Sequence, residues 1–240
     1  MSSQPASVAP QTTASTTSSS SSARPPVTLG QTTHLDPGAY VRGSHGITIG
    51  EQTLIHPRAQ LIATHGPLSI GDRCIISEKS IIGGPLESPS TLPPASGSGS
   101  SLLPAPQKPV DQDNDESDPM KTTIYPNVYI HAYSRVHAGA TIKEAAVVEA
   151  HVTIFAGVTV GSHAKICAGV TVDQDVDDWT VVYGNGDVKR QRTNGQSPDV
   201  GAQHMEVVEA MRLKAMDKER EGTVAILKMA ARMATLAKKK

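Results

Sequence analysis

Between Ile124 and Val172 an aliphatic residue recurs at every sixth position: Ile124, Ile130, Val136, Ile142, Val148, Ile154, Val160, Ile166 and Val172. A helix repeats its apolar face near 3.6 residues and a half-buried strand near 2, so neither explains an interval of six. A fixed short repeat sustained this long predicts a parallel β-helix, with each hexad supplying one flat side of a coil. The same slot is filled earlier by three trios: Leu29, Leu35 and Val41; Ile49, Ile55 and Leu61; Ile70, Ile76 and Ile82. Within a trio the spacing is six, and between trios it lengthens to eight and then nine. The extra residues fall at one place in successive turns. The pattern therefore predicts three sides per coil, with a short loop leaving one corner of the first two coils.

Four residues after each aliphatic slot the side chain is small or β-branched, as at Thr53, Ala59, Cys74, Ser80, Ala140, Ala146 and Ala164. A large residue followed by a small one suits a narrow triangular interior, and the chain has a single Phe in 240 residues. This organisation resembles the hexapeptide-repeat, left-handed β-helix proteins. The left hand comes from the resemblance, since right-handed crossovers are the general rule. The expected fold is an all-β solenoid: a left-handed parallel β-helix of about six to seven triangular coils, followed by a C-terminal α-helical segment.

Composition divides the remainder of the chain. Residues 2–22 contain thirteen Ser or Thr and no charge, which reads as a disordered tail over 1–26. The β-helix is assigned to 27–184. Within it, 83–122 forms a Pro-, Ser- and Gly-rich insertion ending in the acidic cluster Asp111, Asp113, Asp115, Glu116 and Asp118. Because the repeat resumes in register at Ile124, the insertion reads as a solvated excursion between coils three and four. Trp179, where the repeat degenerates, is expected to cover the open end of the core. Residues 185–202 read as a linker and 203–240 as a helical segment. Its apolar stripe runs through Met205, Val208, Met211, Ala215, Val224 and Leu227, and Gly222 could divide it into two helices. That segment carries nine Lys or Arg against five Asp or Glu, but no aromatic anchor for a membrane surface. With a net charge of −1 and two cysteines, the chain shows no footprint for nucleic acid, no membrane span and no disulfide framework.

Chemistry is hard to place on this repeat. A zinc site needs three converging ligands, yet His131 and His137 are six residues apart, on different sides of the triangle, and His151 and His163 are twelve apart. His45 and His65 stack one coil apart without a third partner. His56 and His163 are the two histidines formally available as a general base, and no acid is placed by spacing to orient either. No catalytic, cofactor-binding or metal-binding residue is expected.

One stretch carries a more specific likeness. Ile47-Thr48-Ile49-Gly50 through Ile55-His56-Pro57-Arg58-Ala59, then Leu61 to the Gly66-Pro67 corner and Ile70-Gly71, resembles the dynactin subunit 6 family. The Val182-Tyr183-Gly184 closure and the C-terminal helix support it. The resemblance implies a non-catalytic scaffold of dynactin's pointed end in the cytoplasm and cytoskeleton, serving dynein-driven transport on microtubules. It implies a hetero-complex with dynactin subunit 5, an actin-related protein and subunit 4 rather than a homotrimer. Outward residues Tyr129, Tyr133, Arg135 and Phe155 are the partner-binding candidates. The alternative is a homotrimeric hexapeptide-repeat enzyme, either an acyltransferase or a γ-class-like zinc carbonic anhydrase.

Overall fold

The computed structural model describes residues 25–85, 120–192 and 198–237, without the side chains of 198–205. The tail through residue 24, residues 86–119 of the insertion and residues 193–197 lie outside the described residues. The first coil consists of β1 (Val27–Leu29), β2 (His34–Leu35) and β3 (Tyr40–Gly43); the second of β4 (Ile47–Ile49), β5 (Leu54–Ile55) and β6 (Gln60–Ala63). The third holds β7 (Leu68–Ile70), β8 (Ile75–Ile76) and β9 (Ile81–Gly84), and the fourth β10 (Thr122–Ile124), β11 (Tyr129–Ile130) and β12 (Arg135–His137). The fifth holds β13 (Thr141–Ile142), β14 (Val147–Val148) and β15 (Thr153–Ile154); the sixth β16 (Thr159–Val160), β17 (Lys165–Ile166) and β18 (Thr171–Val172). A partial seventh turn adds β19 (Thr180–Tyr183), and β20 (Val188–Gln191) pairs with it antiparallel. The result is a left-handed parallel β-helix with one C-terminal helix: the solenoid that the repeat predicts, with the hand that the family resemblance implies.

Three parallel sheets form the sides of the prism: β1-β4-β7-β10-β13-β16, then β2-β5-β8-β11-β14-β17-β19, then β3-β6-β9-β12-β15-β18. Every slot residue is stacked on its counterpart in the next coil, for example Ile124 on Ile142 and Val136 on Ile154. Large aliphatic residues fill the interior because each side contributes one inward residue per coil. The small residues at the corners close it. Where that small residue is hydroxylic, it satisfies a carbonyl: Thr53 Oγ1 donates to Gly71 O at 2.7 Å, and Ser134 Oγ donates to Glu149 O at 2.7 Å. A buried hydroxyl without such a partner would cost about 1–3 kcal/mol.

From the second coil on, the β-strands of the first two sheets are followed by corners that hold a left-handed backbone residue. Tyr133, Ala145, His151, His163 and Trp179 all take φ between 56° and 63°, and Gly157 fills the same position at φ 76°. A second glycine position serves close approach rather than φ. A Cβ on Gly71 would sit 2.7 Å from the backbone N of Pro126 in the next coil, whereas one on Gly157 would meet nothing within 4 Å. Gly157→Ala is therefore expected to cost about 1 kcal/mol through φ alone. Gly71→Ala should cost more, because two coil backbones must part; thermal melting of the pair checks the order.

Both flanks of the insertion sit at one corner. The Met120 amide donates to His65 O at 3.1 Å beside Gly66, and β10 pairs in register with β7. Deleting residues 86–118 is expected to leave the melting temperature within a few degrees of the parent, since shortening a loop changes closure entropy only slowly.

The helix α1 (Pro198–Ala237) is one element of 40 residues, unbroken at Gly222. Tertiary packing on one side carries the helix through this glycine. It docks on the outer face of the second sheet, where Met216 and Leu213 meet Leu54, Ile75 and Tyr129, joined by Val224 and Leu227. Val208 and Met211 of the expected stripe point away from the prism and are exposed. Trp179 lies at a corner, partly buried, and not across the end of the core. The last turn is instead closed by Val176 and Val182, and by the β19–β20 pairing.

Candidate functional site

The corner between the first and second sheets gathers the chemistry. In coil six the left-handed residue at this corner is His163, and one turn later it is Trp179. Stacked corners place like positions about 4.8 Å apart, so the two rings lie face to face, 4.1 Å between centroids at 12°. The strained corner backbone holds the imidazole at the surface edge of the core, where its side chain is 25% exposed.

Helix α1 crosses this corner and delivers Glu209, whose carboxylate is 5% exposed. Glu209 Oε1 accepts from His163 Nδ1 at 2.9 Å. The same oxygen accepts from Arg212 Nε at 2.9 Å and, in a shorter contact, from Arg212 Nη2. Arg212 Nη2 also donates to Ala145 O at 2.7 Å, tying the helix to the preceding corner of the same column. Arg192, on the strand side, places its guanidinium 5.7 Å from the Trp179 ring centre. Its Nη1 stands 3.8 Å from Glu209 Oε2, within ion-pair but not hydrogen-bond range. That Oε2 is buried without a hydrogen-bond partner among the described residues.

The electrostatics follow from these neighbours. Burial pushes the Glu209 carboxyl up, but the bonds and charges of Arg212 and His163 outweigh it and hold it below the usual carboxylate range. Glu209 is thus ionised at neutral pH. An acceptor-only carboxylate facing Nδ1 requires that nitrogen to carry the proton, which leaves the Nε2 lone pair free in the neutral ring. No described residue hydrogen-bonds Nε2. A carboxylate-oriented imidazole with a free Nε2 and partial exposure is the arrangement of a general base.

Spacing pointed to no acid beside His163; the fold supplies one from 46 residues downstream. One signal was present in the sequence. Glu209, Leu213, Met216, Arg220, Val224 and Leu227 recur at spacings of three and four, placing two charges on a helical face that is otherwise apolar. A second polar column runs along the other corner of the docked sheet. Burial lowers the basicity of both His56 and His131 there, with nearby carboxylates, including Glu219, opposing.

The four outward candidates do not converge. Tyr129 is half-buried beneath α1, with its hydroxyl donating to Glu219, and burial pushes that phenol up to about 12. Tyr133 is exposed, stacks on His151 at 4.9 Å and accepts from Lys79 Nζ at 2.7 Å. Arg135 is exposed on the third sheet, while Phe155 is 4% exposed and packs edge-on against His137. Among the described residues no three His, Cys, Asp or Glu side chains come together to hold a metal ion. Nor is any described helix long and apolar enough to cross a membrane.

No protein-family model matches the chain, and no curated protein matches its sequence. Solved structures do. A hexapeptide transferase family protein from Anaplasma phagocytophilum superposes with a TM-score of 0.54 at 12% identity, over 86% of this chain and 97% of that one. A hexapeptide-repeat acetyltransferase from Vibrio cholerae, complexed with acetyl coenzyme A, gives 0.38 at 18% identity, over 68% of each chain. The fold is that of hexapeptide-repeat proteins.

These comparisons correct the expectation of a dynactin subunit. No curated sequence carries that resemblance, and the Anaplasma phagocytophilum protein that shares the architecture is named a hexapeptide transferase family protein. The physical reason lies in the residues that suggested it. Gly50, Gly66 and Gly71 each occupy a point where a Cβ would strike the backbone of the next coil or its neighbour. The Ile-Gly and Gly-Pro signatures thus report coil stacking, which any protein of this shape requires. With the dynactin reading go the non-catalytic role, the partners subunit 5, subunit 4 and an actin-related protein, the hetero-complex and the cytoskeletal location.

Proposed function

We propose that this chain is an acyltransferase in which His163, oriented by Glu209, serves as general base. The hydrogen bond from His163 Nδ1 to the buried Glu209 carboxylate is the observation that carries the reading. The acyl donor is a thioester and the acceptor bears a hydroxyl or amine. His163 Nε2 removes the acceptor proton as the acceptor oxygen or nitrogen attacks the thioester carbonyl. The tetrahedral intermediate then expels the thiolate, the carbon–sulfur bond breaks, and the imidazolium returns its proton to sulfur. Glu209 stabilises the imidazolium through the bond that orients it. Arg212 keeps Glu209 ionised and in place, and the Arg192 guanidinium stands 3.8 Å from its second oxygen. The fold shared with a hexapeptide transferase family protein is consistent with this chemistry.

The test is thiol release from acetyl coenzyme A by the full chain, assayed against a panel of amino and hydroxyl acceptors, with the acylated product identified by mass. Acceptor-dependent release is expected. Release no faster than without protein, across acceptors of both kinds, would overturn the proposal.

A further inference from the structure

Helix α1 carries two apolar stripes, and the prism covers one. At about 100° per residue, the docked residues Leu213, Met216, Val224 and Leu227 lie roughly 150° around the helix from a second series that faces solvent. In that second series Met211, Ile226, Met229, Met233 and Leu236 are each more than 60% exposed. Beyond Val224 and Lys228, which border Thr32 and Gln52 of the first two coils, the helix runs on with every residue from 228 to 237 exposed. That is about 15 Å of helix with none of the described residues packed beneath it.

The exposed series is symmetric about Gly222. Counting outward, its members fall four, seven, eleven and fourteen residues away in both directions: Lys218 and Ile226, Ala215 and Met229, Met211 and Met233, Val208 and Leu236. Steps of three and four on both sides of a centre make a seam that matches its own reverse. We infer that this stripe pairs with the same stripe of a second copy of the chain, antiparallel, on a two-fold axis at Gly222.

Four observations converge on that occupant. At the axis the two helices meet at glycine, where an added Cβ would find open space on its own chain, so the backbones can approach closely. Small meets large across the seam at Ala215 and Met229. Lys218 lies against Ile226 with its stem on the seam and its ammonium free to reach water; a parallel pair would set Lys218 against Lys218. Most decisively, antiparallel pairing lays the overhanging residues 229–236 on residues 208–215 of the second copy. That half of the helix is anchored to its prism by Glu209, Arg212 and Leu213. With the docked face roughly 150° around the helix from the seam, the two prisms then fall on opposite outer sides. The exposed side chains bury roughly 700 Å² per copy, about 1,400 Å² in all, which is the size of a stable specific interface.

Cysteine cross-linking in the full chain, with Cys167 replaced by Ser, separates the possibilities; Cys74 is buried and inert. Lys218→Cys and Ile226→Cys are expected to stay uncross-linked alone under mild oxidation, and to form a covalent dimer when the two variants are mixed. Each variant cross-linking with itself, and not with the other, would overturn the antiparallel register. Light scattering of Met229→Glu/Met233→Glu is expected to give half the parent's mass with an unchanged prism melt. Equal masses for parent and double variant would overturn the interface altogether. Neither outcome depends on acyl transfer, so the two proposals fail separately.

Discussion

Ile154→Asp is expected to leave no folded protein. Ile154 is fully buried in coil five, stacked between Val136 of coil four and Val172 of coil six. Loss of its packing costs about 2–5 kcal/mol by itself. The new carboxyl would sit among aliphatic side chains with no donor to meet it, adding several kcal/mol whether it stays charged or takes up a proton. A domain of this size has about 5–15 kcal/mol in total. The damage does not stay local, because each coil rests on its neighbours and a break in the middle frees both halves. Circular dichroism should show no cooperative melt. The control is Thr153→Asp, one residue earlier on the outward face, which should melt close to the parent. Cooperative unfolding of Ile154→Asp near the parent temperature would contradict the inward placement of the slot.

His163→Ala is expected to lower kcat for acyl transfer by about 10²- to 10⁴-fold, the usual contribution of a positioned general base. Glu209→Gln keeps the shape but removes the charge that supports the imidazolium. We expect it to lower kcat about tenfold or more, with KM for the thioester little changed. A merely structural tie would behave differently: it would lower the melting temperature and leave kcat of the folded enzyme intact. The pH response has a definite sign. Glu209's carboxyl is depressed in the folded chain, so its stabilisation is complete above the ordinary value of 4.5 and is lost as pH falls through the depressed one. Melting temperatures of the parent and Glu209→Gln should therefore differ at neutral pH and converge in strong acid.

The helix shows where reading from sequence stopped. Val208 and Met211 have the right spacing for a docked face, yet Leu213 and Met216 are the residues that meet the prism. Two apolar stripes on one helix are equally visible in a one-dimensional pattern, and the outer residues Leu54, Ile75 and Tyr129 that select between them are scattered over three coils. The same holds for the site. His163 was recognisable as a histidine able to act, but its partner lies beyond the end of the solenoid, and no spacing rule of the hexad reaches across that break. Phe155 failed as an outward candidate for another reason. It follows an inward slot residue, where alternation predicts an outward side chain, but the chain turns at once into a corner and folds the ring against His137.

What the sequence by itself determined is the solenoid: one inward aliphatic residue per six, with a small or β-branched residue four positions later. These suffice because every coil repeats the same short-range geometry, so a local pattern states a global shape. What only the tertiary structure decided is which face of α1 meets the prism, and thereby the approach of Glu209 to His163. A side chain from outside the repeat reaches its partner through packing, and packing between a helix and a sheet depends on surfaces that no period records.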